Sequence, residues 1–200
     1  MRNGTIFLMV LCALLFCGAA GPFNLVINPD FEAGSTFGWG AWAVKEDVVM
    51  TENHSSGGLF CLRLSLSGKE GGPFSAGALI QEKKVFKENE KVYASAWVKT
   101  DNLRGKSGNK VYAFIKLEFW KDGTLIDSAV SEKLTEDNGW TFLKIDTIVP
   151  EFSNMTKLLL MLENDGGKDS TGYAYFDDVH LGKTPAPVKV KNNNSVFALK

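Results

Sequence analysis

Short segments of alternating hydrophobic and polar residues run along most of the chain. They are rich in β-branched and aromatic residues, and Gly, Asn, Asp and Ser separate them, which is typical of β-strands joined by turns. No long segment has the 3.6-residue period of an amphipathic helix. The pattern predicts strands at residues 23–27, 39–50, 59–66, 77–86, 91–100, 110–121, 124–131, 139–149, 156–164 and 172–182.

This number of short strands predicts an all-β chain folded as a two-sheet antiparallel β-sandwich. The 200 residues, 44% of them hydrophobic, suit one globular domain with a sizeable core. We expect that domain at residues 21–183. Residues 184–200 are rich in Pro, Lys and Asn, and their composition predicts a linker or disordered tail.

The first twenty residues have the composition of a secretory signal peptide. Arg2 precedes an apolar run at 6–16, and small residues follow up to Ala20, after which cleavage is expected. The run is too short for a transmembrane helix. We therefore expect a secreted, periplasmic or cell-surface protein without membrane insertion. A lipid anchor at Cys17 is not favoured, because the bulky Phe16 precedes it.

Alternation in two strands separates a core side from a polar side. In 111–120 the apolar side is Val111, Ala113, Ile115, Leu117 and Phe119, and in 92–99 it is Val92, Ala94, Ala96 and Val98. The opposite sides carry aromatic rings together with charged and hydroxyl groups. These outward residues are Tyr93, Ser95, Trp97, Lys99, Tyr112, Phe114, Lys116, Glu118 and Trp120.

The outward aromatic residues have two interpretations. They could pack as cross-strand pairs or under loops. Alternatively, they could form one binding surface, since aromatic faces stack on sugar rings while neighbouring polar groups bond the hydroxyls. The second interpretation predicts ligand contacts at Trp97, Trp120, Tyr112, Phe114 and Tyr93, with Glu118 and Lys116 as polar partners.

Other polar residues are ambiguous. Alternation places Cys61 and Arg63 outward in 59–66. Arg63 could contact a ligand, although a salt bridge with a surface carboxylate is the simpler interpretation. The same two interpretations, a ligand contact or a structural one, apply to Gln81. In "GYAYFDDVHLG" (172–182), Asp177 shares a face with Val179 and Leu181, which we interpret as inward. A carboxylate on that face needs a partner, such as loop amides, a basic side chain or a metal ion.

Four segments in order resemble family 4, 9 and 22 carbohydrate-binding modules. They are "NLVINPDFEAGSTFGW" (24–39), "NHSSGGLFCLRLS" (53–65), "VYASAWVKT" (92–100) and "YAYFDDVHLG" (173–182). The resemblance implies a jelly roll of the galactose-binding-like type. It also implies a non-catalytic domain that holds β-glucan, xylan or a related polysaccharide on a concave sheet. We further expect a monomer that binds a polysaccharide or oligosaccharide and tethers a linked or associated glycoside hydrolase, or a cell surface, to it.

The same resemblance implies one structural calcium ion. Its ligands would be Glu32, a group within 51–58 of which Glu52 is the acidic option, and Asp177. Carboxylates and backbone carbonyls are the oxygen ligands that calcium prefers. The family's cleft aromatic residue would be Trp97.

Rival functions are a jelly-roll glycoside hydrolase or polysaccharide lyase, and an adhesion or structural domain that binds no sugar. The chain lacks the E-x-D-x-x-E motif that carries the paired acids of retaining β-glucanases. Its two histidines, His54 and His180, are too few and too far apart in the sequence to indicate a catalytic triad or a zinc site. The formal net charge of −1 argues against nucleic acid as a partner.

Overall fold

Antiparallel strands form two sheets that pack face to face. The structure, a computed structural model, describes residues 23–42, 45–50, 58–66, 76–105, 108–165 and 170–187. The strands within these ranges are β1 (Gly40–Trp42), β2 (Lys45–Met50), β3 (Phe60–Leu66), β4 (Ala76–Lys83), β5 (Lys91–Arg104), β6 (Val111–Lys121), β7 (Thr124–Val130), β8 (Asn138–Ile148), β9 (Met155–Asn164) and β10 (Thr171–Gly182).

The first sheet has the strand order β1-β4-β9-β6-β7, and the second sheet has the order β2-β3-β10-β5-β8. All strand pairs are antiparallel. The predicted two-sheet β-sandwich is confirmed. Because β5 and β6 belong to different sheets, their outward residues lie on opposite sides of the molecule.

Two predicted strands differ from the structure. Residues 39–50 are divided between β1 and β2, which lie in different sheets. Residues 23–27 form no strand, because the side chain of Asn24 makes bonds to the backbone of β10 that the backbone of a paired strand would otherwise make. Its Oδ1 accepts from Leu181 N at 3.1 Å, and its Nδ2 donates to Val179 O at 2.8 Å.

The core lies between the sheets and follows the predicted alternation. All the inward residues predicted for β5 and β6 are at most 1% exposed and belong to one apolar cluster. Leu62 and Leu64 of β3 and Leu158, Leu160 and Leu162 of β9 complete its centre. The inward faces of these strands therefore follow from sequence alternation alone.

The alternation of β10 changes face at a β-bulge. Ala174 and Phe176 belong to the core, and so do Val179 and Leu181, although the two pairs differ in parity. Asp178 has a φ of 47°, and the pairing with β5 shifts register between Asp177 and His180, as a bulge requires. The predicted inward orientation of Asp177 is therefore wrong: this side chain shares the outer face with Tyr173 and Tyr175.

Gln81 and Arg63 have structural partners. Gln81 is 3% exposed; its amide accepts from Ile27 N at 3.0 Å and donates to Ile27 O at 2.6 Å. The Arg63 guanidinium pairs with Asp47 at 2.9 Å, so the surface-carboxylate interpretation is correct.

In the described ranges there is no helix with the length and apolar character that a membrane crossing requires.

Candidate functional site

A groove of about 680 Å³ crosses the outer face of the first sheet. Its floor contains a second apolar cluster of Phe114, Leu159 and Met161, with Ile80 packed against it. Charged and aromatic side chains stand around this floor. The residues that line the groove are Trp42, Ile80, Phe114, Lys116, Glu118, Trp120, Ser128, Val130, Lys133, Lys157, Leu159, Met161 and Glu163.

Three outward residues of β6 form one hydrogen-bonded set. Lys116, Glu118 and Trp120 are two residues apart, so a strand presents them on the same face. Glu118 accepts from Lys116 Nζ at 2.8 Å through Oε1 and from Trp120 Nε1 at 3.0 Å through Oε2. Because its side chain is only 13% exposed, Glu118 holds the indole ring and the ammonium group in fixed positions.

Two lysines lie over aromatic rings of β6 in the groove. Lys157 Nζ is 4.4 Å from the Trp120 ring centroid and 2.9 Å from Glu82. Lys133 Nζ is 4.4 Å from the Phe114 ring centroid and 3.6 Å from Glu163. Each lysine of the groove thus has a carboxylate partner, so the groove offers hydrogen-bonding groups of both signs without a strong net charge.

Tyr112 lies beside this groove. Its ring packs against the floor cluster, and its hydroxyl donates to Asp165 Oδ2 at 3.1 Å. Partial desolvation and the neighbouring Asp165 raise the pKa of the phenol, which keeps it protonated and able to donate. Phe114 differs from the expectation of an exposed ring, because it is only 2% exposed and serves as floor.

The structure corrects the prediction of one aromatic surface. Tyr93 and Trp97 belong to β5, so they lie on the outer face of the second sheet, across the sandwich from Trp120. Trp97 packs against Phe142 of β8 with ring centroids 5.4 Å apart. Ligand contacts at these residues stay predictions, but Trp97 and Trp120 cannot contact the same sugar.

The outer face of the second sheet has two smaller cavities, of about 260 Å³ and 310 Å³. Residues 183–187 pass over this face, and Ala186 lines both cavities. Two contacts hold this segment: Lys183 Nζ is 2.7 Å from Glu90, and His180 Nε2 is 2.9 Å from Thr184 O. Burial lowers the pKa of His180, so at neutral pH the ring is uncharged and donates from Nε2.

Two of the predicted metal ligands lie around the start of β3. Glu32 Oε1 accepts from Leu59 N at 2.8 Å and Phe60 N at 2.9 Å. Asp177 is 1% exposed, and its Oδ1 accepts from Asp178 N at 2.8 Å. The β3–β10 register pairs Leu62 with Phe176, so both carboxylates approach the first residues of β3.

The third predicted ligand, Glu52, and His54 lie outside the described residues, as do the expected signal peptide and residues 188–200. Among the described residues, no three His, Cys, Asp or Glu side chains come together as a metal-binding cluster. Burial and the nearby charge of Asp177 raise the pKa of the Cys61 thiol to about 12, so it is an inert buried thiol and not a nucleophile.

Part of the groove is formed by β9, which the alternation of β5 and β6 does not reveal. Leu159 and Met161 of its floor alternate with the core residues Leu158 and Leu160, so β9 is apolar on both faces. A strand of this kind must be covered on both sides or lie in a groove. The run "LLLML" at 158–162 is the sequence signal of this floor.

Comparisons with known proteins identify a family for most of the chain. A family model described as a carbohydrate binding domain, CBM_4_9, matches residues 23–171. A search of the curated proteins found no match.

Three solved structures share the fold at low sequence identity. TmCBM61, solved with β-1,4-galactotriose, has a TM-score of 0.54 at 19% identity, covering 80% of this chain and 97% of its own. The CBM22-2 xylan-binding domain of Xyn10C from Paenibacillus barcinonensis has a TM-score of 0.51 at 20% identity, covering 78% and 98%.

The third is the enzymatically active domain of tailspike protein 4 from bacteriophage CBA120. Its TM-score is 0.60 at 13% identity, and the match covers 80% of this chain but 21% of the tailspike. This chain therefore corresponds to about a fifth of that enzyme.

Proposed function

Because the chain belongs to the carbohydrate binding domain family, we propose that it binds a polysaccharide, without cleaving it, in the groove of the first sheet. The observation that supports this site is the set formed by Lys116, Glu118 and Trp120 above an apolar floor. An indole ring can stack on the apolar face of a sugar ring, while fixed charged groups bond its hydroxyls.

The shape of the groove favours a chain over a single sugar. The groove runs from the exposed Trp42 on the edge strand β1 past the floor to β7, where Ser128 and Val130 line it. A surface that crosses the whole sheet can contact successive sugar units. The paired lysines favour an uncharged polysaccharide, since an acidic one would compete with the carboxylates that already hold them.

The proposed place of action is outside the cytoplasm, following the export signal expected at residues 1–20. We propose that the domain acts beside a glycoside hydrolase and holds that enzyme near its substrate. The xylan-binding relative comes from a protein named Xyn10C, which supports an arrangement of this kind.

Native gels that contain one polysaccharide each test the proposed function. We expect the mobility of the chain to fall in at least one gel of β-1,4-galactan, xylan, β-glucan or mannan, and no reducing sugar to appear in parallel digests. Bovine serum albumin is the non-binding reference. Unchanged mobility in all four gels would argue against polysaccharide binding, and release of reducing sugar would favour the rival hydrolase.

We also propose that calcium binds at Glu32 and Asp177, with Glu52 as the third acidic candidate. The residues fit this ion, because Glu32 and Asp177 supply carboxylate oxygens near the start of β3, and oxygen ligands are those that calcium prefers. A carboxylate as buried as Asp177 needs compensation by hydrogen bonds, a proton or a cation. Calcium would supply positive charge there and fix β10 against the N-terminal loop.

Removing calcium is expected to lower the melting temperature. A ligand at one hundred times its dissociation constant stabilises by about 2.7 kcal/mol, which corresponds to about 5–10 °C for a chain of this length. We expect a chelator to cause this loss and added calcium to reverse it, as measured by differential scanning fluorimetry. Glu32→Gln should remove the response, whereas Glu151→Gln, an exposed carboxylate in the β8–β9 turn, should keep it. An identical melting curve with and without chelator would exclude a stabilising calcium.

A further inference from the structure

One buried hydroxyl on the outer face of the second sheet has no hydrogen-bond partner among the residues that the structure describes. It belongs to Ser95 of β5, which is 4% exposed, and its Oγ bonds to none of those residues. Its register neighbours are Lys144 on β8 and His180 on β10. Buried hydroxyl groups in proteins nearly always have a hydrogen-bond partner, so a group like this one indicates a partner from outside the chain.

The Ser95 side chain lines a defined cavity. This cavity has a volume of about 310 Å³, and we call it the smaller pocket because it is smaller than the groove of the first sheet. Its volume is at the low end of the range of about 300–1,000 Å³ for ligand sites. Tyr93 and Phe142 contribute aromatic rings, and Lys144 and Asp146 contribute charges of opposite sign. Pro185 and Ala186, from the segment that Lys183 and Thr184 anchor, form one wall.

The chemistry of the smaller pocket matches a compact, uncharged molecule with several hydroxyl groups. The Ser95 hydroxyl both donates and accepts, Lys144 donates and Asp146 accepts, while the rings of Tyr93 and Phe142 offer apolar planes. A sugar ring combines hydroxyl groups at its rim with apolar faces. A simple apolar ligand would leave the Ser95 hydroxyl without a partner.

We propose that the smaller pocket is a second carbohydrate site, which takes a single sugar unit. It lies on the opposite side of the sandwich from the groove, because β5 and β8 belong to the second sheet. The two sites therefore share no residue. Since residues 185–186 close one side, the pocket suits a free monosaccharide or the end of a chain, whereas the groove suits a chain interior.

The test uses the chain with Trp120→Ala, in which the groove is impaired, so that binding at the smaller pocket is observed separately. Amide ¹H–¹⁵N spectra are recorded during titration with D-galactose, D-xylose or D-glucose. We expect saturable shifts at the amides of β5 and β8 around Ser95. Parallel titrations with short β-1,4-linked galactose oligomers distinguish the two sources, because a site for chain ends would respond to the oligomers as well.

Ser95→Ala in the same background should weaken the sugar about three- to tenfold, the effect of losing one hydrogen bond. It should leave the melting temperature equal or higher, because it removes an unpaired buried hydroxyl. Ser128→Ala, a matched change in the groove of the other sheet, should leave the affinity of the smaller pocket unchanged.

The proposal is overturned if no sugar shifts the β5 and β8 amides, if the shifts occur only on β6 and β9, or if Ser95→Ala binds as tightly as its parent. The last result would mean that Ser95 bonds only water. A negative result for the smaller pocket can be told apart from a negative result for the groove. Gel retardation of the unaltered chain by a polysaccharide measures binding in the groove.

Discussion

Trp120→Ala is expected to abolish the retardation of the chain by its polysaccharide. Trp120 lines the groove, and its indole nitrogen donates to Glu118, so the ring is held in place before a ligand arrives. Truncating an aromatic residue that anchors an interface costs about 2 kcal/mol or more, which is about a 30-fold loss of affinity. Affinity gel electrophoresis over a series of polysaccharide concentrations measures this change.

Trp97→Ala is the matched control for Trp120→Ala. Both variants remove a half-buried indole from the outer face of a sheet, but Trp97 lies on the second sheet. We expect Trp97→Ala to retain the retardation within about twofold, provided that its melting curve shows a folded protein at the assay temperature. The reverse result, with Trp97→Ala inactive and Trp120→Ala unaffected, would move the polysaccharide site to the second sheet.

Inserting one alanine between Asp178 and Val179 is expected to prevent cooperative folding. Asp178, with its positive φ, forms the bulge, which already gives β10 one residue more than the facing stretch of β5. A second extra residue would make the side chains that follow exchange faces. Val179 and Leu181, both fully buried, would leave the core at about 1.5–3 kcal/mol each. The bond from Val179 N to Pro29 O would also be lost, and the sum reaches the lower end of the stability of an ordinary domain, about 5–15 kcal/mol.

Substitutions of Asp178 distinguish the effect of its positive φ on stability from the effect of its carboxylate. Asp178→Asn should unfold at nearly the same urea concentration as the parent, because asparagine tolerates the left-handed conformation. Asp178→Val should lose about 1–3 kcal/mol, because a branched side chain is strained there. Urea denaturation followed by tryptophan fluorescence measures these differences. An insertion variant that folds with normal cooperativity would show that β10 can absorb a second extra residue at the bulge.

The faces of individual strands could be predicted well from the sequence. In β6, Ile115 and Leu117 are inward and Lys116 and Glu118 outward, as alternation requires. The reason is local, because successive side chains of any strand point to opposite faces. The same rule failed in β10, where a residue in the left-handed conformation interrupts the alternation.

The composition of the candidate site could be predicted only in part. Lys116, Glu118 and Trp120 were identified because they share one strand, whereas Lys133, Lys157 and Met161 reach the groove from other parts of the chain. Tyr93 and Trp97 were grouped with them wrongly, because alternation says which residues point outward but not on which sheet. The pairing of β6 with β9 and of β5 with β8 determines the sheet to which each strand belongs.

The all-β sandwich, the inward residues of most strands and, through ordered family motifs, the resemblance to carbohydrate-binding modules follow from the amino-acid sequence without further information. These are properties of short segments, which backbone geometry and side-chain burial decide locally. The three-dimensional fold is needed to show that the aromatic residues form two separate surfaces, that Asp177 points away from the core, and that Ser95 has no hydrogen-bond partner among the described residues. These depend on which strands pair and where a bulge shifts them, and such contacts join residues far apart in the chain.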